Sequence, residues 1–290
     1  MMFEQLGLIG CGLMGGSFAL ALKKAGLVKR VVGYSKSPST TDRARQLGVI
    51  DVEAPSALLA VSGADIVLIA VPVASSEATF KSIRDRVTPQ TLIMDVGSTK
   101  NDVVQAARRG LQELAASFVP AHPIAGKELA GVENADADLY RGCQVILTPT
   151  DITRSDHLQR ATEVWRAVGS RIVHMTPEAH DATFAAVSHL PHLLSFALMN
   201  AVCGQSRGQN FLALAGPGFR DATRIAASDP AVWRDIFLAN RSEVLAQCQL
   251  LRDQLQLFET AMQGADQRVL EALITQASSA RAHWRMTEIT

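Results

Sequence analysis

Residues 6–20 read Leu6-Gly-Leu-Ile-Gly10-Cys-Gly12-Leu-Met-Gly15-Gly-Ser-Phe-Ala-Leu20. A short apolar run breaks into G-x-G-x-x-G, and an apolar helical pattern over residues 17–25 follows directly. Strand, glycine turn and helix in that order open a dinucleotide-binding βαβ unit. Gly10 permits the tight turn, Gly12 lets backbone approach a pyrophosphate, and Gly15 lets the helix pack on the strand. N–H groups at the helix start then face the phosphates, and Leu13 and Met14 belong to the same cofactor-binding segment. The unit closes at Val31-Val-Gly-Tyr34. An NAD site usually carries Asp or Glu here for the ribose 2′-OH. This chain offers Ser35 and Lys36, a hydroxyl and a cation that suit a 2′-phosphate, so NADP is expected over NAD.

Further runs of the same kind lie at residues 65–71, 91–95, 118–120, 143–147 and 171–175. They are short and rich in Val and Ile, as strands buried on both faces are, and helical patterns separate them. This rhythm predicts an α/β, Rossmann-type domain with a mostly parallel sheet over residues 1–176. Val71 and Pro72, where the 65–71 run ends, complete the expected cofactor-binding set. The pattern changes at Thr176-Pro177, a helix cap with proline in the first turn. No strand-like run follows, so residues 177–290 are expected to form an all-α substrate and dimerisation domain. Its helices are expected over 177 to about 202, from Asp229-Pro230 towards 262, and over about 266–285. The second half of the first is apolar nearly all round and should be buried on every side, in a core or a subunit interface. A homodimer through this domain follows.

Composition narrows the function. The 290 residues hold 28 Lys+Arg against 28 Asp+Glu, with 48% hydrophobic residues. That balance excludes disorder and argues against nucleic-acid or anionic-membrane partners. The most apolar stretch, residues 190–202, is too short to span a bilayer. Four scattered cysteines without a C-x-x-C pair, and no signal peptide, predict a cytoplasmic protein. No metal is expected, because His189 and His192, with Pro191 between them, lack a ligand set.

Two segments leave the carboxyl ends of strands, where open α/β sheets place ligands. They are Asp95-Val-Gly-Ser98-Thr-Lys100 and His122-Pro-Ile-Ala-Gly126-Lys-Glu128. A dehydrogenase acting on an alcohol needs a neutral base for the hydroxyl proton, and histidine suits that role near neutral pH. His122 is therefore the expected base, with the Ser98 hydroxyl fixing the imidazole or the substrate. Gly216-Pro-Gly-Phe-Arg220-Asp-Ala-Thr-Arg224 leads a glycine-rich loop into two arginines, of which Arg224 is the better carboxylate clamp.

These segments, with Val145-Ile-Leu-Thr-Pro149, Ser188-His-Leu-Pro-His192 and Asp229-Pro-Ala-Val-Trp233, resemble the prephenate/arogenate (cyclohexadienyl) dehydrogenases of tyrosine biosynthesis. The resemblance covers nearly the whole chain and implies NAD(P)-dependent oxidative decarboxylation. It also implies that His122 holds and deprotonates the ring hydroxyl with help from Ser98. Arg224 would clamp a substrate carboxylate, His192 would position the side chain, and Glu128 would lie at the mouth of the site. Neither an ACT-type module nor a fused chorismate mutase is expected. A β-hydroxyacid dehydrogenase would show D-A-P-V-S-G where this chain has His122-Pro-Ile-Ala-Gly126, and a non-catalytic NADPH sensor would not need Ser98, His122 and Arg224 together.

Overall fold

The computed structural model describes residues 2–126 and 129–285. Six strands, β1 (Phe3–Ile9), β2 (Val28–Tyr34), β3 (Val52–Glu53), β4 (Ile66–Ile69), β5 (Leu92–Asp95) and β6 (Phe118–Val119), form one parallel sheet. Its order is β3-β2-β1-β4-β5-β6, the doubly wound arrangement in which the chain reverses direction beside β1. The two-residue β3 is too short to stand out as a pattern in the sequence. All four residues of β4 are buried, because helices cover both faces of the sheet. On one face Phe18 packs against Trp165, with ring centroids 4.8 Å apart. On the other, Phe80 meets Phe118 at 5.0 Å.

The last three strands form a separate sheet: β7 (Ala121–Pro123), antiparallel to β8 (Gln144–Leu147), which runs parallel to β9 (Arg171–His174). His122 therefore sits in the middle of a strand, opposite Ile146, and not in a loop leaving one. Pro120 separates β6 from β7, and the chain crosses there from one sheet to the other.

β9 ends at His174, and a helix starts at Pro177 with the Thr176 hydroxyl accepting the Ala179 N–H. The helical path continues as Pro177–Phe184, a π-helical turn Ala185–His189, and Leu190–Cys203. The wide turn precedes Pro191, which has no N–H for the carbonyl four residues back. Asp229 caps Pro230–Ala239 by accepting the Ala231 and Val232 N–H groups. The expected long helix breaks at Asn240 and resumes as Arg241–Gln263, followed by Gln267–His283.

Within Leu190–Cys203 only Ser195 is buried, and Leu194 and Leu198 stand 40% and 39% exposed. Burial on every side is thus not met inside one chain, because no element among the described residues covers that face. By length and composition Pro177–Cys203 is apolar enough to cross a membrane. Its polar residues His180, Asp181 and His189 are nevertheless fully buried within the protein.

Candidate active site

The glycine turn is built as its sequence requires. Gly10 has φ +96°, and a Cβ there would lie 2.1 Å from the Ala70 carbonyl oxygen. A Cβ on Gly15 would lie equally close, 2.1 Å, to the Gly10 oxygen. At Gly12 a Cβ would meet nothing within 4 Å, and no side chain caps the helix Leu13–Lys24. Open space in front of uncapped helix N–H groups fits a dinucleotide pyrophosphate. The Ser35 hydroxyl accepts the Cys11 N–H at 2.9 Å, which leaves its own proton to donate. Lys36 beside it is exposed. Val71 and Pro72 follow Ala70, on which Gly10 packs, so all these residues gather at the carboxyl ends of β1, β2 and β4.

His122 is held from behind by a buried ion pair. Asp95, the last residue of β5, accepts the Ala121 N–H at 2.9 Å through Oδ1. The Lys100 ammonium donates to Asp95 Oδ2 at 2.5 Å and to the Ala121 carbonyl at 2.8 Å. Both backbone groups of the residue before His122 are therefore fixed by side chains that water does not reach. A buried pair removes less stability when its remaining hydrogen-bonding capacity is filled, as it is here.

From the helical half, His180 meets His122 with Nε2 2.8 Å from its Nδ1, and His180 Nδ1 lies 2.8 Å from Asp181 Oδ1. Asp181 also accepts the backbone N–H groups of Lys100 and Asn101, each at 2.9 Å. Burial would raise the Asp181 carboxyl, but the hydrogen bonds from His180, Asn101 and Lys100 together hold it below its usual value. Burial, with the nearby His180 and Lys100, pushes His122 well below the ordinary histidine range, so its imidazole is neutral near pH 7. Burial also lowers His180, against the raising influence of Asp181.

The structure separates the two histidines of Ser188-His189-Leu-Pro191-His192. His189 is fully buried, accepts from Asn240 Nδ2 at Nδ1 (3.2 Å), and lies near the Ser98 backbone, which acts to raise its pKa against the larger lowering by burial. Asn240 donates as well to the Asp181 carbonyl at 2.8 Å. His189 thus sets the helical half against the loop after β5. His192 is half-buried, donates from Nδ1 to the Ser188 carbonyl, and stacks on Trp233. Burial, and to a lesser degree the Arg224 charge, lower its pKa. Arg224 begins the 3-10 turn Arg224–Ala227 and is exposed, while Arg220 pairs with Asp221.

Of the expected site residues, His122 meets the helical half through His180, while His192 and Arg224 lie on that half and interact electrostatically with each other. Ser98 approaches that half through its backbone, and its hydroxyl makes no hydrogen bond to His122. Glu128 lies outside the described residues. Sequence reasoning overlooked His180 and Asp181 as functional. The available signal was an adjacent pair of ionisable residues at the head of an otherwise apolar helix. Among the described residues no group of three or more His, Cys, Asp or Glu side chains could hold a metal.

Known proteins resemble this chain over both of its halves. The family model for the prephenate dehydrogenase nucleotide-binding domain matches residues 18–174, and that for the prephenate dehydrogenase dimerization domain matches 176–276. A prephenate dehydrogenase of Bacillus subtilis is 36% identical over 249 residues, covering 84% of this chain and 66% of that protein. A cyclohexadienyl dehydrogenase of Zymomonas mobilis is 35% identical over 245 residues, covering 84% and 83%. A crystal structure of prephenate dehydrogenase from A. aeolicus, in complex with hydroxyphenyl propionate and NAD+, superposes with TM-score 0.90 at 34% identity, covering 97% of this chain and 98% of that one.

Proposed function

The chain belongs to the prephenate dehydrogenase family, and from that premise we propose that it catalyses the NAD(P)-dependent oxidative decarboxylation of prephenate, arogenate or both in tyrosine biosynthesis. The observation that carries this reading is the imidazole of His122, bonded at Nδ1 to the buried His180 of the helical half and backed by the buried Asp95–Lys100 pair. A bound nicotinamide would take the hydride from the ring carbon that carries the hydroxyl.

His122 takes the hydroxyl proton as that hydride leaves. The bond from the ring to its carboxylate then breaks, carbon dioxide departs, its electron pair completes the aromatic ring, and the phenolate oxygen takes the proton back from His122. A neutral base suits this step, since an imidazolium could not accept the proton. Arg224 offers a charge-assisted contact to a substrate carboxylate, and His192 positions the side chain from its place on Trp233. Ser98, on the loop after β5, assists from the substrate side, since its hydroxyl makes no hydrogen bond to His122.

Gly10, Gly12, Leu13, Met14, Gly15, Val71 and Pro72 hold the dinucleotide. The free Ser35 proton and the exposed Lys36 favour NADP over NAD, since a 2′-phosphate gains both while a ribose diol finds no carboxylate at either position. The active form is a homodimer through the helical half, and the cytoplasm is its compartment, in keeping with four free cysteines.

The test is turnover. Prephenate or arogenate, supplied with either nucleotide, should yield the reduced nucleotide and the aromatised product. His122→Asn should keep nucleotide affinity and lower kcat by about 10²–10⁴-fold. Failure to turn over either substrate would overturn the reading of function, and a variant with wild-type kcat would overturn the role of His122.

A further inference from the structure

The polar contacts around His122 run in one direction. Asp181 is fully buried and accepts three N–H groups, from Lys100, Asn101 and His180. A carboxylate so placed has only acceptors to offer, so the proton in its bond to His180 must sit on His180 Nδ1. His180 is itself fully buried beside the Lys100 ammonium, an environment that disfavours a second proton. Its Nε2 therefore carries a lone pair. The 2.8 Å contact from His180 Nε2 to His122 Nδ1 can then be a hydrogen bond only if His122 Nδ1 carries the proton. That leaves the lone pair of His122 on Nε2, which has no hydrogen-bond partner among the described residues.

We infer that Asp181 and His180 are positioning residues for the reaction: acting in series, they hold His122 in the Nδ1–H tautomer and so make Nε2 the nitrogen that receives the proton. The inference rests on His122 being the base. Neither residue needs to touch the substrate, since both act through His122. A single histidine has two nitrogens of similar basicity, and a base that presents its N–H to a hydroxyl cannot accept the proton. The arrangement also joins the two halves of the protein. His122 belongs to β7, whereas His180 and Asp181 stand at the head of the first helix of the helical half. Asn240 secures that end by donating to the Asp181 carbonyl. The tautomer is thus set by domain docking and not by β7 alone.

Asp181→Ala removes what sets the direction, because without a carboxylate nothing confines the proton to His180 Nδ1. His180→Gln preserves it, because the glutamine carbonyl still accepts from His122 Nδ1–H while its amide donates to Asp181.

The experiment is ¹⁵N NMR of histidine-labelled protein near pH 7, with His122 assigned by its loss in His122→Asn, together with steady-state kinetics. Wild type should show His122 protonated at Nδ1 and bare at Nε2. Asp181→Ala should show His122 no longer confined to the Nδ1–H form and a kcat lowered by about 10²–10⁴-fold, with nucleotide Kd unchanged. His180→Gln should keep the wild-type tautomer and most of kcat. The inference is overturned by a wild-type His122 protonated at Nε2, by Asp181→Ala keeping both tautomer and kcat, or by His180→Gln losing as much as Asp181→Ala. Should Asp181→Ala fail to fold, the wild-type spectrum and His180→Gln decide. The spectrum reports the tautomer whether or not His122 is the base, and the kinetics of His122→Asn report the base alone.

Discussion

The imidazole of His192 lies flat on the indole of Trp233, with ring centroids 3.5 Å apart and planes within 21°. The two residues come from different helices. Pro191 opens the helix that carries His192, and the Asp229 cap starts the one that carries Trp233. With its Nδ1 given to the Ser188 carbonyl and one face covered by the indole, His192 has little freedom except at Nε2. This fixes a half-buried histidine in one orientation, with Nε2 left to meet a ligand.

Trp233→Leu should loosen His192 without removing it. An aromatic pair contributes about 0.5–1.5 kcal/mol beyond area burial, so KM for the substrate should rise roughly two- to twelvefold, with kcat little changed. An unaltered KM would reduce the stacking to ordinary packing.

Arg224→Ala should weaken substrate binding by about 1.5–3 kcal/mol, the size of a charge-assisted hydrogen bond. The effect belongs in KM more than in kcat, because the clamp acts away from the reacting carbon. Steady-state kinetics with Arg220→Ala as the comparison locate the clamp: an effect on Arg220 alone would move it there.

Nucleotide preference turns on Ser35. Wild type should show the larger kcat/KM with NADP. Ser35→Asp should reverse the ratio, since a carboxylate there repels the 2′-phosphate and accepts from a ribose diol. The aspartate can also keep the Cys11 N–H bond that Ser35 accepts, so the glycine turn should survive. Wild-type preference for NAD, or a ratio indifferent to the aspartate, would sink the assignment.

Burial drives His189 from 6.5 to about 4. A folded pKa below the unfolded one means that the unfolded chain binds the proton first as pH falls. Stability attached to His189 is therefore complete above pH 6.5, declines between 6.5 and 4, and stays lost below that. The full loss is about 3 kcal/mol at roughly 1.36 kcal/mol per unit. Urea unfolding at a series of pH values should show the decline, and His189→Gln should flatten it. An equal slope in the variant would refute the contribution.

Leu194, Leu198, Leu238, Leu245, Leu250 and Ile274 are all exposed in a single chain. So much apolar surface on one helical half calls for a covering surface, and a second copy supplies the same face. Light scattering at micromolar concentration should give the mass of a dimer, and Leu245→Glu with Leu250→Glu should shift it towards a monomer. A monomeric wild type would contradict this.

What the sequence alone could settle was local. The glycine turn, the buried strand runs and the caps at Thr176-Pro177 and Asp229-Pro230 depend on residues within one or two turns of each other, so their spacing discloses them. The α/β sheet domain and the helical half followed from such signals, and His122 was a candidate by them. Tertiary structure decided the rest. The bond from His122 to His180 joins residues 58 positions apart, and Lys100 and Asn101 reach Asp181 across about 80. In the sequence His180 and Asp181 are simply polar residues in the first turns of a helix, where polar residues are ordinary. Likewise only the fold told His189 from His192, one buried against Ser98 and Asn240 and the other stacked on Trp233. Hydrogen-bond direction and burial are properties of groups brought together from distant segments, and no local period encodes which groups those are.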